Sequence, residues 1–227
     1  MVLLATLADD FNDNTANATL WANNFGTVSE VGGRARVNCD TGYNAYSSAK
    51  IYTLQGSQAT VRVYPPAAGG ATTEAWAQVL VLSGTAGTDA GFEISALSGN
   101  LSCFNRTGYF DPTATVITYD ASAHAFLRLR EAGGTLYWDT SGNGRVWTNR
   151  KTVTSPAWVS GTTHEYQLIA HRNSGTNDYA EYDNVNIPMG ARVWTGTEWK
   201  PCPVRTWTGS TWQLRALKTR TSGGDWI

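Results

Sequence analysis

Residues 124–151 read HAFLRLREAGGTLYWDTSGNGRVWTNRK, and this stretch decides the fold class. Apolar and polar side chains alternate from His124 to Glu131, which is the pattern of a strand with one buried face. Gly133-Gly134 and the run from Ser141 to Gly144 supply residues that form tight turns. The stretch therefore predicts consecutive antiparallel strands joined by short turns.

Segments of the same kind recur along the chain. Ala75 to Ser83 is strongly apolar, so we predict a central strand that is covered on both faces. Gly91 to Leu97 alternates and is expected to pair with Leu101 to Asn105. The composition agrees, with ten Trp, ten Tyr, 23 Gly and only 15% charged residues. We predict an all-β sandwich over residues 1–190.

A tandem repeat follows this region. Residues 192–199 read RVWTGTEW, and residues 205–212, thirteen positions later, read RTWTGSTW. A weaker third copy begins at Lys218. Each unit predicts a strand, a tight turn centred on glycine and a second strand, so residues 191–227 form a separate unit of short β-hairpins.

The repeat also carries an expectation about assembly. An isolated hairpin cannot bury its own apolar face, so we expect this unit to pack on the sandwich or on copies of itself. Four tryptophans flank the glycine turns and are predicted to form cross-strand pairs or to lie in an intersubunit core: Trp194, Trp199, Trp207 and Trp212.

Charge and composition exclude several classes of protein. The net charge is −1 and there is no basic run, which argues against nucleic-acid binding. No apolar stretch reaches the length of about 18 residues that a transmembrane helix needs. The start, Met1 to Ala8, is too short for a signal peptide, and the three cysteines lack metal-site spacing. We therefore expect reduced thiols and folding in a cytoplasm.

Three segments carry a resemblance to a known family. They are Asp9 to Asn14 with Trp21 and a Gly-Gly hairpin soon after, the stretch from Phe126 to Thr148, and the closing segment Tyr182 to Ile187. Over about residues 7 to 187 the chain resembles a concanavalin-like (laminin-G-like) jelly roll. With its Trp-x-Gly-x-x-Trp units, it also resembles minor tail proteins of phages infecting actinobacteria. This resemblance implies a virion tail protein made in the host cytoplasm. It also implies a homotrimer that contacts other tail proteins and faces the cell envelope.

One sequence motif indicates whether the chain could be a glycosidase. Retaining glycosidases on this fold place two carboxylates on one strand with the spacing Glu-x-Asp-x-x-Glu. Glu181 and Asp183 begin this pattern, but Asn186 stands where the last carboxylate belongs, and Glu93 and Glu165 are isolated. We therefore predict that the chain is not an enzyme.

Carbohydrate binding is predicted from aromatic and arginine side chains. Sugar rings stack on exposed aromatic faces, while arginine donates to their hydroxyl groups. The alternative for each tryptophan is a place in the core of the sandwich. The candidate residues are Trp76, Tyr109, Arg128, Arg130, Trp138, Trp147 and Trp158.

Calcium is the candidate cofactor. Ca²⁺ takes six to eight oxygen ligands, and a dense cluster of Asp and Asn near the start of the chain could supply them. If the chain ends lie close together, Asp183 would join Asp9, Asp10, Asn12 and Asp13 in one site. The alternative is that these side chains cap local turns.

The sequence thus supports a tail-tip or fibre protein that attaches to a host cell-surface glycan without catalysis. One alternative is a purely structural tail protein or trimerisation module. A third hypothesis is a hydrolase that degrades envelope glycans.

Overall fold

The computed structural model describes residues 1–188, 191–194, 196, 199–202, 204–210 and 212–215, and it shows the predicted all-β fold. The strands of the first half are β1 Val2–Leu3, β2 Val28–Glu30, β3 Ala35–Cys39, β4 Asn44–Ser47, β5 Tyr52–Thr53, β6 Gln58–Tyr64, β7 Ala75–Leu82, β8 Asp89–Ser95 and β9 Asn100–Arg106. Those of the second half are β10 Thr115–Thr118, β11 Phe126–Ala132, β12 Thr135–Ser141, β13 Thr148–Thr154, β14 Glu165–Arg172, β15 Asp178–Asp183, β16 Ala191–Trp194, β17 Trp199–Cys202, β18 Val204–Trp207 and β19 Trp212–Arg215.

Two 3₁₀ helices, Leu4–Thr6 and Ala157–Ser160, complete the elements. Among the residues that the structure describes, no helix is long and apolar enough to cross a membrane.

Two antiparallel sheets form a jelly-roll sandwich. The first has six strands in the order β10-β9-β8-β7-β14-β4, and the second has seven in the order β13-β12-β11-β6-β15-β3-β2. Neighbouring strands are often distant in sequence, as when β6 lies between β11 and β15. We call the side of each sheet that is turned away from the other sheet its outer face.

The core lies between the sheets and is built by strict alternation. Leu127 and Leu129 of β11 lie in it, and Val79 and Val81 of β7 come from the other sheet. Strand β7 is flanked by β8 and β14 and is buried over most of its length, so the prediction of a covered central strand is confirmed. Cys39 and Cys103 are buried free thiols.

The predicted hairpins are present. Strand β2 pairs with β3 across Gly32-Gly33, and β8 pairs with β9 from Asp89↔Arg106 to Ser95↔Asn100. Each of the first two Trp repeats is also a hairpin, with β16 paired to β17 and β18 paired to β19.

The register of the two repeat hairpins agrees with the predicted cross-strand pairs. Trp194 lies opposite Trp199, and Trp207 lies opposite Trp212. Gly196 and Gly209 have positive φ angles of 98° and 95°, the conformation that a glycine in the turn adopts without steric cost. The third copy, from Lys218 onward, lies outside the described residues. Assembly through these tryptophans stays a prediction.

Candidate functional site

A cavity of about 560 Å³ lies on the outer face of the seven-stranded sheet. Its floor comes from β6 and β11, one wall from the loop between β12 and β13, and the other wall from the segment that follows β15. We call it the outer-face cavity. It is lined by Gln58, Thr60, Phe126, Arg128, Asn143, Gly144, Arg145, Val146, Trp147, Asn184, Asn186, Ile187 and Pro188.

The floor follows from strand alternation. Because Ala59 and Val61 of β6 point into the core, Gln58 and Thr60 point to the outer face. In β11 the same rule places Arg128 outward, and Arg128 lies directly opposite Thr60 in the register. Polar side chains of two strands that are distant in sequence therefore share one surface.

The loop wall is held by its own hydrogen bonds. The Asn143 side-chain oxygen accepts from the backbone N–H of Arg145 at 2.9 Å and of Val146 at 3.0 Å. The Ser141 hydroxyl accepts from the N–H of Gly144 at 2.9 Å. These bonds shape the turn that carries Trp147 to the edge of the cavity.

The opposite wall depends on Asn186. Its side-chain oxygen accepts the backbone N–H of Thr60 at 2.8 Å, and its Nδ2 donates to the carbonyls of Leu4 at 3.0 Å and Leu7 at 2.8 Å. Asn186 has a φ of 50°, which asparagine tolerates better than most residues. This one side chain ties the chain start, β6 and the cavity wall together.

Arginine, carboxylate and tryptophan meet at the cavity. Arg128 donates to Asp139 Oδ2 from Nε at 3.0 Å and from Nη2 at 2.8 Å, and Arg130 Nε donates to the same oxygen at 2.8 Å. The Arg128 guanidinium lies 4.3 Å from the centroid of the Trp147 ring. Burial opposes ionisation of Asp139, but hydrogen bonds from Asn149, Arg130 and Arg128 hold its pKa below the usual value.

The structure brings together only some of the predicted sugar-binding residues. Arg128 and Trp147 line the outer-face cavity, and Arg130 adjoins it through Asp139. Trp76 lies on the other sheet, near His171 at a centroid distance of 5.4 Å. Trp158 packs edge-on against His164. Tyr109 is 69% exposed in the loop after β9.

Trp138 does not belong to any sugar site. It is fully buried, and its Nε1–H donates to the Gly91 carbonyl across the core at 2.9 Å. A ring in the core cannot stack on a ligand, so the prediction for this residue is wrong.

The predicted calcium site has no counterpart in the described residues, where no three acidic, histidine or cysteine side chains are arranged to hold a metal ion. Asp9 accepts from the N–H of Phe11 and from Trp21 Nε1, both at 2.8 Å. Asp10 and Asp13 each accept a backbone N–H two residues further on. These carboxylates cap turns, while Asn12 lies against the Gly33 turn.

One premise of that prediction is confirmed. The two ends of the sandwich do meet, since Asp9 bridges Val185 and donates its N–H to the Val185 carbonyl at 3.0 Å. Burial raises the pKa of Asp183 to about 6, although Arg62 and Arg34 oppose the rise.

Comparison with known proteins places the fold. No protein-family profile matches the sequence, and no curated protein matches it. Solved structures do match. The β-glucanase of Bacillus licheniformis is 14% identical with a TM-score of 0.59, covering 78% of this chain and 95% of that chain.

Two further glucanases agree. The catalytic domain of an endo-1,3-β-glucanase (laminarinase) from Thermotoga petrophila RKU-1 is 9% identical with a TM-score of 0.59, covering 78% of this chain and 94% of that chain. SCLam, a non-specific endo-β-1,3(4)-glucanase from family GH16, is 11% identical with a TM-score of 0.59, covering 78% and 88%. At such identities the likeness shows the fold, which is the concanavalin-like jelly roll of these proteins.

These neighbours contradict the prediction that the chain is not an enzyme, because its fold is one that glucanases use. The absence of one strand motif is too narrow a ground for that prediction. Three acidic side chains lie on the outer face of the six-stranded sheet. Asp89 is paired with Arg106, Glu93 accepts from Gln78, and Glu165 is paired with Lys50.

Proposed function

We propose that this chain binds carbohydrate of the host cell surface in the outer-face cavity, as a tail-tip or fibre component of a virion that infects actinobacteria. The cavity is the observation that carries the proposal. It combines an indole ring, a guanidinium and four side-chain amides in one concave site. Stacking aromatics beside orienting polar groups are what a sugar ring requires.

Two properties of the site support recognition over a purely structural role. The polar walls are preorganised by the bonds of Asn143 and Asn186, so little ordering would accompany binding. Trp147 is only half-buried although it is a large aromatic ring, and among the described residues Arg128 is its cation–π partner. A ligand can therefore cover the ring without displacing core contacts.

The place in the virion rests on the Trp-x-Gly-x-x-Trp repeat and the resemblance that it carries. We propose that the chain assembles as a homotrimer and contacts other tail proteins. The hairpins of the repeat are the elements suited to that assembly, since each is too small to be stable alone.

The test is binding to purified actinobacterial cell walls. Replacing Trp147 by Ala should lower the affinity at least tenfold, which corresponds to about 1.4 kcal/mol. Phe110→Ala is the matched control, because Phe110 is also an exposed aromatic residue (67% exposed) but lies outside the cavity. Equal binding by wild type and Trp147→Ala, or an equal loss in both variants, would contradict the proposal.

A second candidate function is glucan hydrolysis at the outer face of the six-stranded sheet. The presence of the carboxylates of Asp89, Glu93 and Glu165 on that face favours it. Asp89 and Glu165 both lie opposite Leu82, so their strands are separated by about 10 Å. Release of reducing ends from laminarin by the wild type, and its loss in Glu93→Gln or Glu165→Gln, would support hydrolysis. Absence of product from laminarin and from cell walls would refute it.

A further inference from the structure

The outer-face cavity has an excess of positive charge. Arg128 and Arg145 are among its described lining residues, which include no Asp or Glu. The chain as a whole carries a net charge of −1. The basic character is therefore local to the lining of this cavity and does not reflect the composition.

The carboxylate behind the cavity does not balance this charge. Asp139 is almost fully buried and serves both Arg128 and Arg130, so two guanidinium groups share one negative charge. Arg128 uses Nε and Nη2 for this contact, and no hydrogen bond is present at its Nη1 among the described residues. A donor is left for an incoming acceptor.

The second arginine of the lining adds to the excess. Arg145 is exposed at the tip of the loop wall and forms no ion pair within the described residues. An array of guanidinium groups with too few carboxylates attracts anions.

The geometry also suits an anion. The Arg128 guanidinium lies over the Trp147 ring, and Nη1 is the donor that Asp139 leaves unused. Guanidinium groups bind carboxylate and phosphate oxygens through two parallel N–H bonds. The amides of Gln58, Asn143 and Asn184 can take the hydroxyl groups of a neighbouring sugar.

We propose that the saccharide bound in this cavity is anionic and that its carboxylate or phosphate group pairs with Arg128 and Arg145. This inference rests on the proposed carbohydrate binding and adds the substrate class. Paired charges in a partly enclosed site make the binding sensitive to salt.

The test uses polysaccharide purified from actinobacterial walls in four forms. One is untreated, one has its carboxylates amidated with carbodiimide and methylamine, one has its phosphate esters cleaved with hydrofluoric acid, and one has received both treatments. We expect the double treatment to lower the affinity at least tenfold, and the single treatments to identify which anion is responsible. Raising NaCl from 50 to 300 mM should weaken binding to the untreated form and leave binding to the doubly treated form unchanged.

Two variants test whether the charge dependence of binding arises in the outer-face cavity. Arg145→Gln should lower the affinity for the untreated form at least fivefold and reduce the effect of the treatments. Lys50→Gln is the control, since it removes an exposed cation at the edge of the other sheet. Equal binding to all four forms, or full binding by Arg145→Gln, would overturn the anionic assignment while leaving carbohydrate binding intact. Failure of the wild type to bind any form would instead overturn the proposed function.

Discussion

A buried ion pair fastens the loop between β9 and β10, and removing its cation should destabilise the fold strongly. Lys151 Nζ lies 2.9 Å from Asp111 Oδ2 and donates to the Thr113 carbonyl at 2.6 Å. The side chains of the pair are only 4% and 5% exposed. Asp111 also accepts the backbone N–H of Asn105 at 2.8 Å. The perturbation that we choose is Lys151→Met, which keeps most of the length of the side chain and removes its charge.

The magnitude follows from burial. Breaking a buried pair by removing one partner costs about 3–5 kcal/mol, whereas an exposed pair is worth about 0–1 kcal/mol. Because Asp111 keeps its hydrogen bonds from Asn105 and Thr113, we expect the lower end, about 3 kcal/mol. Urea unfolding at pH 7, followed by tryptophan fluorescence, measures this loss. The double variant Lys151→Met/Asp111→Asn should recover part of it.

The pH dependence supplies a second readout. Burial opposes ionisation of Asp111, but the Lys151 ammonium and the N–H donors lower its pKa to about 2. A lowered carboxyl pKa contributes stability that is present above the unfolded-state value near 4 and is lost as the pH falls toward 2. Lys151→Met should flatten this acid limb. A loss below 1 kcal/mol at pH 7 together with an unchanged acid limb would refute the reasoning.

Three further outcomes are expected. Trp138→Phe should cost about 1–3 kcal/mol in urea unfolding, because the Gly91 carbonyl loses its indole donor in the core; an unchanged midpoint would contradict this. The pKa of Asp183 is raised to about 6, so its ionisation opposes folding as the pH rises from about 4 through 6. Asp183→Asn should therefore raise the unfolding temperature at pH 7.5 but not at pH 4, and equal shifts at both values would argue against it. Light scattering of the full chain should give three times the 24.6 kDa of one chain, and deletion of residues 191–227 should lower this mass; a monomer in both cases would exclude the trimer.

Rules that depend on residues close in sequence predict much of this fold. Alternation from His124 to Glu131 predicts which side chains of β11 enter the core, and Leu127 and Leu129 do so. The Gly-centred turns predict the hairpins, including both repeat units. These features depend on neighbours a few residues apart, which is the range over which turn chemistry and side-chain period act.

The outer-face cavity lies beyond that range. Its floor pairs Thr60 with Arg128, and one of its walls is bonded through Asn186 to Thr60. Alternation indicates that Gln58 and Thr60 face outward, but it does not indicate which strand lies beside them. Without the order of strands in the sheet, the sequence does not show that Gln58, Asn143 and Asn186, which come from three separate segments, line one cavity.

Trp138 and Trp147 show where sequence reasoning can be sharpened. Both lie in the β12–β13 hairpin region and both are predicted as sugar platforms, yet one is fully buried in the core and the other borders the cavity. Trp138 is two residues after Leu136 in the alternating strand β12, so both side chains point to the same side of the sheet. The rule that places Leu136 inward therefore places Trp138 inward as well. Trp147 follows the Ser141–Gly144 turn and precedes β13, so the alternation rule does not apply to it. An aromatic residue just outside an alternating segment is therefore the better candidate for ligand contact.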